Sequence, residues 1–285
     1  MEKTDKQQIV LSLKEYIGRY ESQNKAANSL KGVSTATISQ MVNGKWDLIK
    51  DEMWRNVASQ IGHGNTNEWQ TVKTDAYERL NSILTDSQTH SNVFAVIGKA
   101  GTGKSNAMKA FTNNANAYRL QCSEFWNRKI FLAELLAAMG CDYTGLTVAE
   151  MMYEAVKRLK QKDRPLLMLD EADKLSDQVL YFFITLYNEL EDHCGIVLCA
   201  TDHLKKRVNK GIALNKKGYN EIYSRIGRKF IELQDISSND VTKICAANGI
   251  TDRSKIKEVW DDCDGDLRRV KRKIHALKNQ NINGD

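Results

Sequence analysis

Residues 98–105 read Gly98-Lys99-Ala100-Gly101-Thr102-Gly103-Lys104-Ser105, directly after the apolar run Val93-Phe94-Ala95-Val96-Ile97 and before the helix-compatible stretch Asn106-Ala107-Met108-Lys109-Ala110-Phe111. A GxxxxGK(S/T) sequence in that strand-to-helix setting constrains the fold more than any other feature of the chain. Its glycines let the backbone turn tightly and aim N–H groups at phosphates, and the following helix adds its positive N-terminal end. Lys104 then reaches the β- and γ-phosphates, and Ser105 ligates Mg²⁺. Gly98 through Ser105, with Asn106 in the first helical turn, form a candidate ATP-binding loop.

The rest of the chain is organised around this loop. Residues 1–62 show helical periodicity and almost no strand signal: Ile9, Leu13 and Ile17, then Ala26, Ala27 and Leu30, then Ile38, Met41 and Val42, then Trp54, Val57 and Ile61. Residues 63–73 hold the polar, glycine-bearing stretch His63-Gly64-Asn65-Thr66-Asn67, which reads as a linker. Over residues 74–235, β-branched and apolar runs at 93–97, 117–122, 166–169, 196–200 and 230–233 alternate with helical segments. That pattern predicts an α/β core with a parallel five-stranded sheet covered on both faces. Residues 236–285 return to helix alone and predict a small helical lid.

Composition narrows the setting. The charged start Met-Glu-Lys-Thr-Asp-Lys is no secretory signal, and no apolar stretch is long enough to span a bilayer, so the reading is a cytoplasmic protein with no membrane partner. The six cysteines are scattered without a CxxC pair and read as small buried hydrophobes, not as a disulfide or zinc framework. A formal net charge of +6 permits an anionic partner.

Leu166-Leu167-Met168-Leu169-Asp170-Glu171 is a buried strand ending in two carboxylates. Phosphate hydrolysis needs such a pair at the carboxyl edge of the sheet: Asp170 to hold Mg²⁺ through water and Glu171 to orient and polarise the attacking water. The next strand ends in Thr201-Asp202, a polar tip suited to the γ-phosphate or the lytic water. Two arginine pairs follow, Arg225 and Arg228 before the last core strand and Arg268 and Arg269 at a helix start in the lid. A planar, permanently charged fork can follow charge developing on a transferring phosphoryl group.

In the amino-terminal segment, Ser22 to Lys45 looks like a repressor-type helix-turn-helix. Ala26, Ala27 and Leu30 pack its first helix, Gly32 makes the turn, Val33 plugs the core, Ser34 caps the second helix, and Ile38 and Val42 anchor its inner face. Ser34, Thr35, Thr37 and Gln40 are then candidates to meet double-stranded DNA on a recognition helix, with Gln23, Lys31 and Lys45 flanking it at the backbone. Two further cationic stretches are candidates for sequence-independent phosphate contact: Trp126, Asn127, Arg128 and Lys129, and Lys205, Lys206 and Arg207.

Phosphate loop, Leu-Asp-Glu strand, polar strand tip, Ser224-Arg225 and Gly265-Asp266-Leu267-Arg268 occur in the order of the AAA+ ATPases, and the chain resembles that family over residues 69 to 280. The resemblance implies Thr201 or Asp202 as sensor 1, Arg225 as an arginine finger inserted into a neighbouring subunit's site with Arg228 as fallback, and Arg268 as sensor 2. It also implies an ATP-bound homo-oligomer. With a repressor-like domain in front, the chain is similar to the MuB-type transposition target-selection ATPases, relatives of TnsC, TniB and IstB; Glu68 to Thr74 resembles their adenine-cradling segment. The function this implies is ATP-dependent, sequence-nonspecific DNA binding in helical filaments that deliver target DNA to a DDE transposase and disassemble on hydrolysis. Two alternatives share the motifs: a replication initiator or helicase loader, and a DNA-binding regulator switched by ATP.

Overall fold

The computed structural model describes residues 3–18, 20, 22–61 and 69–282, which fall into two compact units, Met1–Gln70 and Thr71–Asp285. The linker stretch 63–67 and Glu68 lie outside the described residues. In the first unit, α1 (Lys3–Ile17), α2 (Gln23–Asn28), α3 (Thr35–Val42) and α4 (Asp51–Ile61) close around Trp54. Ile9, Leu13, Ala27, Ile38, Met41 and Val57 are all buried against one another there, the apolar periodicity of four short amphipathic helices becoming a single core. The α2–α3 connection passes through Gly32 in the left-handed region at φ 70°, and the Ser34 hydroxyl caps α3 by accepting from Thr37 N–H at 3.0 Å. Gln60 on α4 closes the turn from behind, bonding both Lys31 N–H and Lys31 C=O.

The second unit is built on five strands: β1 (Val93–Ile97), β2 (Ala117–Gln121), β3 (Leu166–Asp170), β4 (Gly195–Ala200) and β5 (Phe230–Glu232). Their order is β2-β3-β4-β1-β5 and every pairing is parallel. Because successive side chains alternate faces, Leu167, Leu169, Ile196 and Leu198 enter one core, while Leu166, Met168, Val197 and Cys199 enter the other. Helices cover both faces, as buried parallel sheets require: α5 (Asp75–His90) and α6 (Lys104–Phe111) on the second; α7 (Arg128–Ala138), α8 (Val148–Lys160), α9 (Asp177–Leu190), α10 (Asp202–Ala213) and α11 (Tyr219–Arg225) on the first. The tail folds as α12 (Ser238–Ala247), α13 (Arg253–Cys263) and α14 (Leu267–Ile282). No helix among the described residues is long and apolar enough to cross a membrane.

Short polar residues fix where these helices begin. Thr74, Asn127, Thr147, Ser237 and Asp252 each accept a hydrogen bond from a first-turn N–H, and Thr147–Glu150 and Ser237–Asp240 are full capping boxes. Asp240 also reaches back to the base of the unit, its Oδ1 accepting from Asp75 N–H at 3.2 Å, which fastens the start of the tail to the start of α5.

One glycine sets how closely a helix approaches the sheet. At Gly195 a Cβ would fall 2.2 Å from the Ser87 carbonyl oxygen of α5. Gly195→Ala is therefore expected to push α5 off β4 and to cost about 1–3 kcal/mol, read as a lower urea midpoint with an unchanged slope.

Candidate active site

The carboxyl edge of the sheet gathers the predicted phosphate site from separate parts of the chain. The loop Gly98–Gly103 joins β1 to α6, Asp170 ends β3, and Thr201 follows β4 at the head of α10. Gly101 and Gly103 take φ of 82° and 92°, the left-handed backbone that turns the loop's N–H groups inward. Lys104 folds its ammonium back over the loop, donating to Gly98 C=O at 2.7 Å and Lys99 C=O at 2.8 Å. Burial lowers its pKa, opposed by the negative charge of Asp170 and Asp173 and assisted by the Arg268 guanidinium. Ser105 and Asn106 occupy the first turn of α6.

Asp170 has no solvent exposure, and a buried carboxylate needs a cation. Arg119 on the neighbouring β2 supplies it, with Nε at 3.2 Å and a terminal nitrogen at 2.6 Å from the same oxygen, Oδ2. Arg119 pairs in register with Met168, so Asp170 is its diagonal neighbour on one face of the sheet. The other carboxylate oxygen, Oδ1, is buried and has no hydrogen-bond partner. An orphaned anionic oxygen beside a phosphate loop fits a divalent cation, and Ser105 with Asp170 are the residues that would hold Mg²⁺.

Glu171 sits at φ 57°, so the chain turns sharply after Asp170 and the two carboxylates part. Its side chain accepts from Lys174 Nζ at 2.9 Å, across the short 3-10 turn Ala172–Lys174. Thr201 donates from Oγ1 to Asp173 Oδ2 at 2.7 Å, tying the tip of β4 to the same turn, whereas Asp202 pairs with Lys206 and lines a cleft with Gly98 and Lys99.

The lid docks on the loop through the first residues of α14. Leu267 N–H donates to Gly101 C=O at 3.0 Å, and a Cβ on Gly101 would fall 2.2 Å from Asp266 Oδ1. Asp266 also caps α14, accepting from Arg268 N–H at 2.8 Å. Arg268 itself is exposed. Arg225 lies elsewhere: it donates to Asn188 Oδ1 at 3.1 and 2.9 Å and rests over the Tyr187 ring at 5.3 Å.

The nucleic-acid candidates are distributed unevenly. Thr35 and Lys45 are exposed, as is Lys31, while Gln23, Thr37 and Gln40 are half-buried and Ser34 is spent on its cap. Asn127 caps α7, with Arg128 and Lys129 exposed behind it. Trp126 is corrected: its ring is 7% exposed and packs on Phe131, leaving Phe125 as the aromatic in solvent. Lys205 and Lys206 are paired with Glu232 and Asp202 beside a cleft of ≈ 700 Å³. Arg207 is corrected too, because its guanidinium turns inward onto Asp177, Tyr219 and two backbone carbonyls.

Three residues that shape the site, Arg119, Asp173 and Asp266, stand outside the sequence patterns for phosphate, metal and water. Asp173 carried a signal, the close spacing Asp170-Glu171-Ala172-Asp173. Arg119 carried none, since its partner is set by strand register, and Asp266 was read only as part of a motif.

Residues 86–208 match the family described as AAA domain, a stretch that contains the phosphate loop, Asp170 and Thr201, in keeping with an ATPase of the AAA+ kind. Among solved structures, the chain is similar to a Walker-type ATPase of Pyrococcus abyssi at 14% identity and a TM-score of 0.49, over 75% of this chain and 73% of that one. It is also similar to the Hsp104–ADP complex of Saccharomyces cerevisiae at 13% identity and a TM-score of 0.42, over 95% of this chain and 58% of that one.

Two substitutions separate binding from turnover at this site. Lys104→Ala removes the ammonium that caps the Gly98 and Lys99 carbonyls and is expected to abolish ATP binding in equilibrium titration. Glu171→Gln keeps Asp170 and Lys104 and is expected to bind ATP normally while turnover falls by about 10²–10⁴ in a phosphate-release assay.

Proposed function

We propose that the chain hydrolyses ATP only when assembled with copies of itself, and that its ATP-bound assembly grips double-stranded DNA without sequence preference to deliver it to a DDE transposase. The observation that carries the assembly is the position of Arg225. Its cavity of ≈ 330 Å³ is lined by Val93, Cys194 and Ile196, the amino-terminal ends of β1 and β4. The phosphate loop leaves the opposite end of β1, and the five residues of that strand span roughly 16 Å at the usual rise. An arginine side chain does not cross that distance, so a finger role for Arg225 requires a neighbour's site.

Within one subunit the roles divide by what each group touches. Lys104 neutralises the β- and γ-phosphates once they displace it from the Gly98 and Lys99 carbonyls. Asp170, held by Arg119 through Oδ2, keeps Oδ1 without a partner and with Ser105 would hold Mg²⁺, which would supply charge neutralisation on the phosphate oxygens. Glu171, released from Lys174, accepts the proton of the attacking water. Thr201, braced by Asp173, marks the γ-phosphate side, and Arg268 approaches from the lid. The arginine donated by the neighbour stabilises charge on the phosphoryl group in flight.

The DNA reading rests on the amino-terminal unit, where the turn at Gly32 and the capped α3 leave Thr35 and Lys45 exposed beside Lys31, and on Arg128 and Lys129 at the head of α7. The transposase as recipient rests on the resemblance to the target-selection ATPases.

Mixing two inactive proteins tests the assembly. Arg225→Ala is expected to bind ATP but lose about a thousandfold in turnover, and Lys104→Ala to lose ATP binding. Combined, they are expected to regain part of the activity, because the second lends its finger to the first. Absence of recovery in mixtures that co-sediment with DNA and ATP would place Arg225 outside the site, with Arg228 the next candidate. DNA affinity measured against salt on two unrelated duplexes is expected to fall steeply and equally for both; a shallow slope with a strong preference would favour a sequence-specific regulator.

A further inference from the structure

The acidic turn after Glu171 and the helix carrying Arg225 are joined by one side chain. Arg207 on α10 points its guanidinium into the unit, where it donates to the carbonyls of Asp173 and Leu175 on the turn and to Asp177 Oδ1 at the head of α9. Its Nε donates to Tyr219 Oη at 3.1 Å, and that hydroxyl donates in turn to Asp177 Oδ1 at 2.7 Å. Tyr219 opens α11, and Arg225 closes it. The fit is tight: a Cβ on Gly211 would fall 2.3 Å from the Tyr219 ring, so α10 and α11 touch only because residue 211 has no side chain.

The turn held in this way carries the chemistry. Glu171 precedes it in a left-handed conformation, Asp173 within it holds Thr201, and Lys174 within it holds Glu171. Arg207 bonds one carbonyl within it and one immediately after it, those of Asp173 and Leu175. We infer that Arg207 is a positioning residue for hydrolysis, fixing the turn that presents Glu171 and Thr201 and setting it at a constant distance from the helix that offers Arg225 to the next subunit. The inference deepens the proposed hydrolytic site and rests on Glu171 acting there. The hydrogen bonds of Arg207 among the described residues go to Asp173, Leu175, Asp177 and Tyr219, away from the phosphate loop and Asp170, so its loss is expected to leave nucleotide binding intact and to misplace the groups that act on bound nucleotide. Displacement of reacting groups by about an ångström costs on the order of a hundredfold in rate.

The test measures ATP affinity and turnover separately, at saturating DNA, for Arg207→Gln, Arg207→Lys, Tyr219→Phe and Glu171→Gln. Arg207→Gln is expected to keep the ATP dissociation constant within about a factor of two while turnover falls on the order of a hundredfold, with Lys restoring part of it. Tyr219→Phe removes one oxygen and keeps the ring in its groove, so it is expected to lower turnover less, and to add nothing when combined with Arg207→Gln. Normal turnover in Arg207→Gln alongside a dead Glu171→Gln overturns the inference alone. Normal turnover in Glu171→Gln overturns the hydrolytic site and the inference with it. A parallel loss of ATP affinity and thermal stability with Tyr219→Phe silent reduces Arg207 to a structural strut, and weaker DNA binding with a turnover deficit seen only when the assay is repeated at sub-saturating DNA makes it a phosphate contact; either result overturns the inference. Where Arg207→Gln does not fold, Arg207→Lys and Tyr219→Phe decide by the same split.

Discussion

A carboxylate with no solvent exposure at the end of a central strand is the demand the rest of the site answers. Asp170 cannot be buried alone, because an uncompensated charge in the interior costs far more than one hydrogen bond returns. Arg119 answers on one oxygen, and in doing so it fixes which oxygen remains. The ion pair spans two strands whose register is set by apolar side chains on both faces, so the hydrophobic packing of β2 on β3 is what aims the free oxygen. Lys104, half-buried on its own loop, is held by the Gly98 and Lys99 carbonyls, and its burial lowers its pKa against the pull of the nearby negative charge of Asp170.

Much of this was legible in the chain as written, for reasons that differ from place to place. The strands were readable because a sheet covered on both faces demands unbroken apolar runs, and each of the five observed strands falls on a predicted run with its ends moved by a residue at most. Helix starts were readable because capping is local: Ser34 and Thr37 are three residues apart, and so are Ser237 and Asp240. The phosphate loop and Asp170-Glu171 were readable because their chemistry is contiguous in sequence. What stayed hidden was set by distance along the chain. Arg119 meets Asp170 fifty-one positions later, and Arg207 meets Asp177 thirty positions earlier. Charge runs mislead for the same reason: Arg207 follows two lysines that face solvent or a cleft, and only the helix phase that points it inward, toward acceptors supplied by other segments, distinguishes it. Trp126 misled by its neighbours, since Phe125 stands out at 75% exposure while the tryptophan beside it fills the core.

The lid is fastened at two points by unlike interactions. Its beginning is held by Asp240, a carboxylate shared between the first turn of α12 and Asp75 N–H of α5, with the Lys99–Asp235 pair alongside on the connecting segment. The beginning of α14 is held by backbone, Leu267 N–H on Gly101 C=O. The first fastening does not involve the phosphate loop's carbonyls, and the second is made to them. Both fastenings nonetheless meet the phosphate loop, one through the Lys99 side chain and the other through the Gly101 carbonyl.

That second fastening changes how the glycine at position 101 is to be understood. In the loop sequence it reads as a concession to phosphate, one more place where the backbone must come close. Yet the space a side chain would need there is already filled from the other side, by the carboxylate of Asp266. The residue is constrained twice, once by a ligand that comes and goes and once by a helix that belongs to the same fold. A chain of this kind that had lost every trace of nucleotide affinity would still be selected to keep Gly101, so long as its tail had to close; persistence of the glycine in a degenerate loop would testify to architecture and not to catalysis.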